Sequence, residues 1–253
     1  MRQLALGVRL RAAAVFASFS PGLNREVLAA LRGPGREPVW IWGNRGSGKT
    51  HLLQAVCAEA GATAPGETAP GETAPGETAP GETAPGAAAA YLPLDRSAAL
   101  PPAALAGFES CRVLCVDDVD AVAGHLEWEQ ALFRLFNEAA ELRSRVIFAA
   151  ASPPRQIEWR LQDWRSRAAA CVVYHVRELD EEGRAEALRL RAAQRGLQLP
   201  PETLDYLLKR MPRDLRSLFE ILDDLDEAAL VAQRRLTIPF IRAALEMHAR
   251  TKP

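Results

Sequence analysis

An apolar run, Val39-Trp40-Ile41-Trp42, opens directly into Gly43-Asn44-Arg45-Gly46-Ser47-Gly48-Lys49-Thr50, and a helix-forming stretch from His51 to Glu59 follows. The eight residues satisfy G-x-x-x-x-G-K-[ST] in full, in the strand, turn, helix order the pattern requires. Glycines let successive backbone N–H groups close around a polyphosphate, and the following helix points its positive end at the same charge. The pattern therefore assigns Gly43, Arg45, Gly46, Ser47, Gly48, Lys49, Thr50 and His51 to a phosphate-binding turn. Lys49 is expected to reach the β- and γ-phosphates and Thr50 to ligate Mg²⁺. A glycine-rich turn without a ligand is the bland alternative, and the flanking strand and helix argue against it.

The rest of the composition narrows the setting. The chain has 253 residues, 48% of them hydrophobic, enough for an α/β unit and a smaller second domain. With 31 basic and 32 acidic residues the formal net charge is −1, so bulk electrostatics recruit neither nucleic acid nor an anionic membrane. Cys57, Cys111, Cys115 and Cys171 form no C-x-x-C pair, and His51, His125, His175 and His248 form no H-E-x-x-H, so neither zinc nor a disulfide framework is signalled. A reducing cytoplasm fits this usage. No apolar run approaches the roughly 20 residues of a membrane span. Arg2, Arg9 and Arg11 precede the first acidic residue, Glu26, as in transit peptides, but they interrupt the apolar stretch.

From Thr63 to Gly86 the sequence repeats TAPGE, whose Pro and Gly forbid helix and discourage strand, so a disordered surface loop is expected. Closing so long a loop costs only about 1 kcal/mol more than a short one, because the entropy rises with the logarithm of length. Around it the pattern predicts strands at Val39–Trp42, Ala90–Leu94, Val113–Val116 and Val146–Ala150, with helices at Thr50–Ala60 and Trp128–Leu142. Short, non-alternating apolar runs are the mark of buried parallel strands. From Leu179 only helices are expected. Asp180 caps one through Ala193, ended by Gly196; Pro201 opens another through Arg210; a longer one runs from Arg213 towards Arg234; and Thr237-Ile238-Pro239 starts the last. The stripe Leu215, Leu218, Phe219, Leu222 and Leu225 reads as core, and Trp40 and Trp42 as strand residues packed against helices.

Val113-Leu114-Cys115-Val116-Asp117-Asp118 is an apolar strand ending in two carboxylates. Alone, such a string is most often a solvated turn. Behind a complete phosphate-binding turn it reads as a Walker B element, with Asp117 holding Mg²⁺ directly or through water and Asp118 orienting or polarising an attacking water.

The ordered set resembles the AAA+ ATPases of the DnaA branch and, within it, the Hda family of DnaA regulatory inactivators. The residues that carry the resemblance are Phe16-Ala17-Ser18-Phe19, Tyr91-Leu92-Pro93-Leu94-Asp95, Val119-Asp120-Ala121-Val122-Ala123-Gly124, Ser152-Pro153-Pro154-Arg155-Gln156, Ser166-Arg167, Leu207-Leu208-Lys209-Arg210 and Gln233 to Phe240. It implies a P-loop AAA+ domain over residues 13–178, a parallel sheet sandwiched by helices, and a helical lid over 179–253. Arg167 matches the family's arginine finger, which reaches a neighbour's γ-phosphate; read without the family, it is a surface salt-bridge partner. Arg213 matches the sensor 2 position, with Arg216 as the other candidate. Gln3, Leu4, Leu6 and Val8, within an N-terminal segment 1–12, resemble a peptide that binds the β sliding clamp of DNA polymerase.

The resemblance implies bound ADP or ATP with Mg²⁺, DnaA and the clamp as partners, DNA reached only through the clamp, no membrane, and self-association as an option. It further implies negative control of replication initiation by stimulating DnaA's ATP hydrolysis in the cytoplasm. The expected sensor 1 strand reads Phe148-Ala149-Ala150-Ala151, without a polar side chain near the γ-phosphate, so weak intrinsic ATPase activity is expected. No DNA-reading domain is expected after Pro253. An autonomous AAA+ ATPase, or a remodelling or loading adaptor, is the alternative.

Overall fold

The computed structural model describes residues 14–62, 88–95, 101–211, 214–232 and 238–242. The TAPGE repeat, residues Gln3, Leu4, Leu6 and Val8 of the expected clamp-binding segment, and Arg213 lie outside the described residues. The chain divides into two compact units, one of residues up to 16 together with 24–177, the other of 17–23 together with the residues from 178 onward.

The first unit is a five-stranded parallel sheet in the order β2-β3-β4-β1-β5, where β1 is Val39–Trp42, β2 Ala89–Pro93, β3 Val113–Asp117, β4 Arg145–Ala150 and β5 Val172–His175. Helices α1 (Arg25–Arg32), α2 (Lys49–Ala62), α3 (Leu126–Glu141) and α4 (Gln162–Ala169) complete it. The apolar runs of β1, β3 and β4 form strands for the reason the sequence suggests: these strands are buried along nearly their whole length. Register levels the carboxyl ends of the central strands. Trp42 pairs with Ala150, and Val116 pairs with Phe148, so Gly43 and Asp118 leave the same edge of the sheet on either side of β4. Ligands of open α/β sheets bind at that edge.

Three elements of this unit carry little sequence signal. Edge strand β5 is largely exposed, α1 has eight residues, and α4 buries only Trp164 and Ala168. What holds α4 is aromatic packing. Trp164 is fully buried and meets Phe148, Phe136 and Trp159 edge-on at 5.4, 6.3 and 5.8 Å. Trp40 joins this cluster and donates its indole N–H to the Ser152 carbonyl at 3.1 Å. Trp42 packs against the same core, and its ring also stacks at 3.9 Å on His175 of the neighbouring strand.

In the second unit α5 (Glu181–Gln194), α6 (Pro201–Arg210) and α7 (Leu215–Ala232) enclose Leu188, Ala192, Leu204, Leu218 and Leu222, with Phe219 against them. Leu207, Leu225 and Ile241 make a second cluster. Asp180 caps α5 by accepting from the Gly183 N–H at 2.8 Å. Gly196, at φ 70, ends that helix in a left-handed turn that suits glycine. Helix α7 is capped by Asp214, which accepts from the Ser217 N–H at 2.8 Å, so Leu215 is its first residue. Arg191 of α5 and Arg195, its C-cap, pair with Asp223 and Asp226 of α7 at 2.9 to 3.0 Å, half-exposed contacts that add little to the apolar burial.

All four thiols are buried, and burial pushes Cys171 up to about 12 and Cys115 well above the ordinary thiol range. A thiolate-selective disulfide reagent at pH 8 is therefore expected to titrate none of the 4 cysteines in folded protein and all of them in denaturant. A fast-reacting thiol in the native protein contradicts this packing.

Candidate functional site

The turn between β1 and α2 is built by its glycines. Gly46 and Gly48 take φ of 90 and 99, where a side chain is strained. A Cβ on Gly43 would collide with the Val176 carbonyl oxygen. The Lys49 ammonium folds back into the loop, donating to the carbonyls of Gly43 at 2.7 Å and Asn44 at 3.1 Å. Burial lowers the Lys49 pKa, against the opposing pull of Asp117, Asp118 and Asp120.

Asp117 is fully buried at the end of β3 and is the hub of the site. Its Oδ2 accepts from the Thr50 hydroxyl at 2.7 Å and from the Tyr91 hydroxyl at 2.8 Å; its Oδ1 accepts from the Asp118 N–H at 3.0 Å. Desolvation raises its pKa, and the Thr50, Tyr91 and Asp118 bonds oppose that shift. Asp118 stands next in a left-handed conformation, φ 52, which Asp tolerates better than most residues. Burial, then Asp117, Asp95 and Asp120, push its carboxyl up to about 6. Asp120 accepts from the Ala151 N–H at 3.2 Å and so ties the turn after β3 to the end of β4, where the sequence supplies no polar sensor side chain.

The structure thus brings together Gly43 to Thr50, Asp117 and Asp118. It directs His51 elsewhere, since its Nε2 bonds the Val15 carbonyl at 3.0 Å. Arg45 is exposed in the phosphate-binding turn. Arg167 is exposed on α4, its guanidinium carbon 6.0 Å from the centre of the Phe136 ring, and it makes no ion pair among the described residues. Sequence reasoning missed Tyr91 and Asp120 as members of the site. Tyr91 lies two residues before the end of β2, and only the β2–β3 pairing reveals that it meets Asp117.

The residues fit a polyphosphate with a divalent cation. The Ser47 hydroxyl is buried without a partner among the described residues, inside a loop too close-packed at Gly43 for a side chain. Thr50 and Asp117 supply the oxygen pair with which Mg²⁺ is commonly held alongside phosphates. Lys49 supplies the fixed positive charge.

Residues 180–245 match the family model described as Hda, lid domain. The chain is similar to domain III of the replication initiation protein DnaA from Thermotoga maritima, with TM-score 0.73 and 21% identity over 94% of this chain and 98% of that one. It is also similar to AMPPCP-bound DnaA from Aquifex aeolicus, with TM-score 0.62 and 23% identity over 85% and 65% of the two chains. The Thermotoga maritima RuvB Holliday junction branch migration motor gives TM-score 0.58 at 13% identity, over 88% and 67%. The chain thus spans about two thirds of these longer DnaA and RuvB chains.

Fold and loop together define a P-loop protein with the fold of DnaA domain III and of RuvB. Within its second unit, residues 180–245 resemble the lid domain of Hda.

The Asp118 carboxyl titrates near 6 in the folded chain against an ordinary 3.8, so the folded state holds that proton more tightly than the unfolded one. Its contribution to stability therefore falls as pH rises from about 4 to about 6 and stays unfavourable above that range. Without Mg²⁺, Asp118→Asn is expected to raise Tm at pH 7.5 by about 2–4 °C, for roughly 1 kcal/mol after allowance for solvent screening. The difference should vanish by pH 4, and an equal gain at both pH values contradicts the assignment.

Proposed function

We propose that this protein is a DnaA-directed regulator of replication initiation. With ADP or ATP and Mg²⁺ in its own P-loop, it presents Arg167 to ATP held by DnaA and so switches the initiator off. The observation that carries this reading is the Hda lid domain at residues 180–245 on a chain whose phosphate loop and paired aspartates are complete. Lys49, Thr50 and Asp117 would hold the nucleotide and its metal, and Arg213 of the lid would contact it. When bound, the nucleotide supplies the charge that these groups hold; the rate effect belongs to Arg167. A guanidinium suits the task because it stays protonated and forks onto phosphate oxygens as charge builds in the transition state. Its exposure, with no carboxylate engaging it among the described residues, suits delivery to a partner.

Gln3, Leu4, Leu6 and Val8 are proposed to dock on the β sliding clamp, the glutamine hydrogen-bonding at one end while the apolar side chains fill a groove. DNA is then reached through the clamp. These proposed partners put its work in the cytoplasm, and no helix among the described residues is long and apolar enough to cross a membrane.

A second reading, an autonomous AAA+ ATPase or remodelling adaptor, is favoured by one observation: Asp118 stands beside Asp117 with a carboxyl near 6, able to accept a proton at neutral pH. The alanine-rich end of β4 weighs against fast turnover.

Arginine fingers supplied in trans raise hydrolysis by roughly 10³ to 10⁵. On clamp-loaded DNA, Arg167→Ala is therefore expected to abolish stimulation of DnaA's ATPase while ADP still binds; stimulation at the parent level contradicts the proposal. Lys49→Ala should weaken ADP binding by calorimetry at least about tenfold, one lost charge-assisted contact. Unaided turnover by the purified chain that Asp118→Asn removes, with no response in DnaA, would establish the second reading instead.

A further inference from the structure

Glu129 is a charged residue with no exposure at all. It lies in the first turn of α3, and its carboxylate joins two segments distant in sequence. Oε1 accepts from the Gly124 N–H at 2.8 Å, and Oε2 accepts from the Leu161 N–H at 2.6 Å. Gly124 closes the turn that follows Asp117 and Asp118, in a left-handed conformation of φ 81. Leu161 is the N-cap of α4, the helix that carries Arg167. Among the described residues no cation pairs with Glu129. Two charge-assisted bonds and the positive end of α3 hold the charge instead.

A carboxylate buried without a cation is a costly way to fill space, and an apolar side chain would serve packing better. What the carboxylate adds is geometry, because two short bonds to backbone N–H groups fix both segments at once. Helix α4 needs such a fixture. It has eight residues, no side-chain cap, and only Trp164 and Ala168 buried. Trp164 anchors one side through the aromatic cluster, and Glu129 fixes the start. From Leu161 to Arg167 the helix rises about 9 Å, so a tilt at its start is carried to the guanidinium.

We infer that Glu129 is a positioning residue that locks the start of α4 to the turn after the paired aspartates and so sets the aim of Arg167. The inference rests on the reading of Arg167 given above. The carboxylate touches no reacting group and works wholly through the backbone of α4. It also makes the finger and the aspartate turn one rigid assembly, linked by a single side chain.

The test compares the full chain with Glu129→Gln, Leu161→Pro and Arg167→Ala in DnaA ATP hydrolysis on clamp-loaded DNA. Glutamine keeps the shape but cannot accept at both oxygens. Proline removes the Leu161 N–H at a position whose φ of −87 lies near its own range, and Leu161→Ala, which keeps the N–H, controls for the lost side chain that packs against the core. Because misplacement by about 1 Å can cost roughly 10²-fold in rate, Glu129→Gln and Leu161→Pro are expected to lower maximal stimulation at least tenfold. The concentration for half-maximal stimulation and the ADP affinity should stay within about twofold, and amide exchange across residues 162–169 should quicken. A purely structural role would lower folded yield, ADP affinity and stimulation together, and that result overturns the inference. So does parent-level stimulation by Glu129→Gln while Arg167→Ala is inactive. Should Arg167→Ala itself stimulate fully, the finger reading fails first and the role of Glu129 with it. If Glu129→Gln does not fold, Leu161→Pro decides alone: full stimulation, or a loss that Leu161→Ala shares, overturns the inference, and selective loss upholds it.

Discussion

The buried carboxylate of Asp117 is the interaction on which the rest of the site depends. A charge removed from water is tolerated only when hydrogen bonds replace the water, and here three do: the Thr50 hydroxyl from α2, the Tyr91 hydroxyl from β2 and the Asp118 N–H from its own chain. These donors come from three different elements, so satisfying one acid fixes the start of α2 against the ends of β2 and β3. The strand order places β4 between β3 and β1, which lets this hub face the phosphate-binding turn across a single strand.

Legibility in the sequence followed how local each determinant is. Gly43 to Thr50 is contiguous and its chemistry is carried by residue type, so the turn could be read directly. Asp117 and Asp118 were readable because an apolar run ends on them. Tyr91 and Asp120 were not, since a tyrosine in a strand and an aspartate in a turn acquire meaning only from strand pairing. Glu129 was hidden more thoroughly. An acid in the first turn of a helix reads as an ordinary surface complement to the helix dipole, and nothing local shows that it is buried.

The same contrast explains the fold. Strands β1, β3 and β4 are enclosed on both faces, and their unbroken apolar runs announce them. Strand β5 has one neighbour and exposed valines, and α4 is mostly polar, so both depend on tertiary partners. In the second unit Asp180, Gly196 and Pro201 are local punctuation, and they predicted α5 and α6 nearly to the residue. At the start of α7 the cap is Asp214.

The way Lys49 rests has a consequence for ligand uptake. Its ammonium already donates to two carbonyls of its own loop, so the cradle is propped by an internal tenant. An arriving phosphate must evict those two contacts, and association becomes an exchange of partners with a smaller heat than a vacant cation would release. The reward is a loop held near its working shape beforehand, which lowers the cost of ordering it around a ligand.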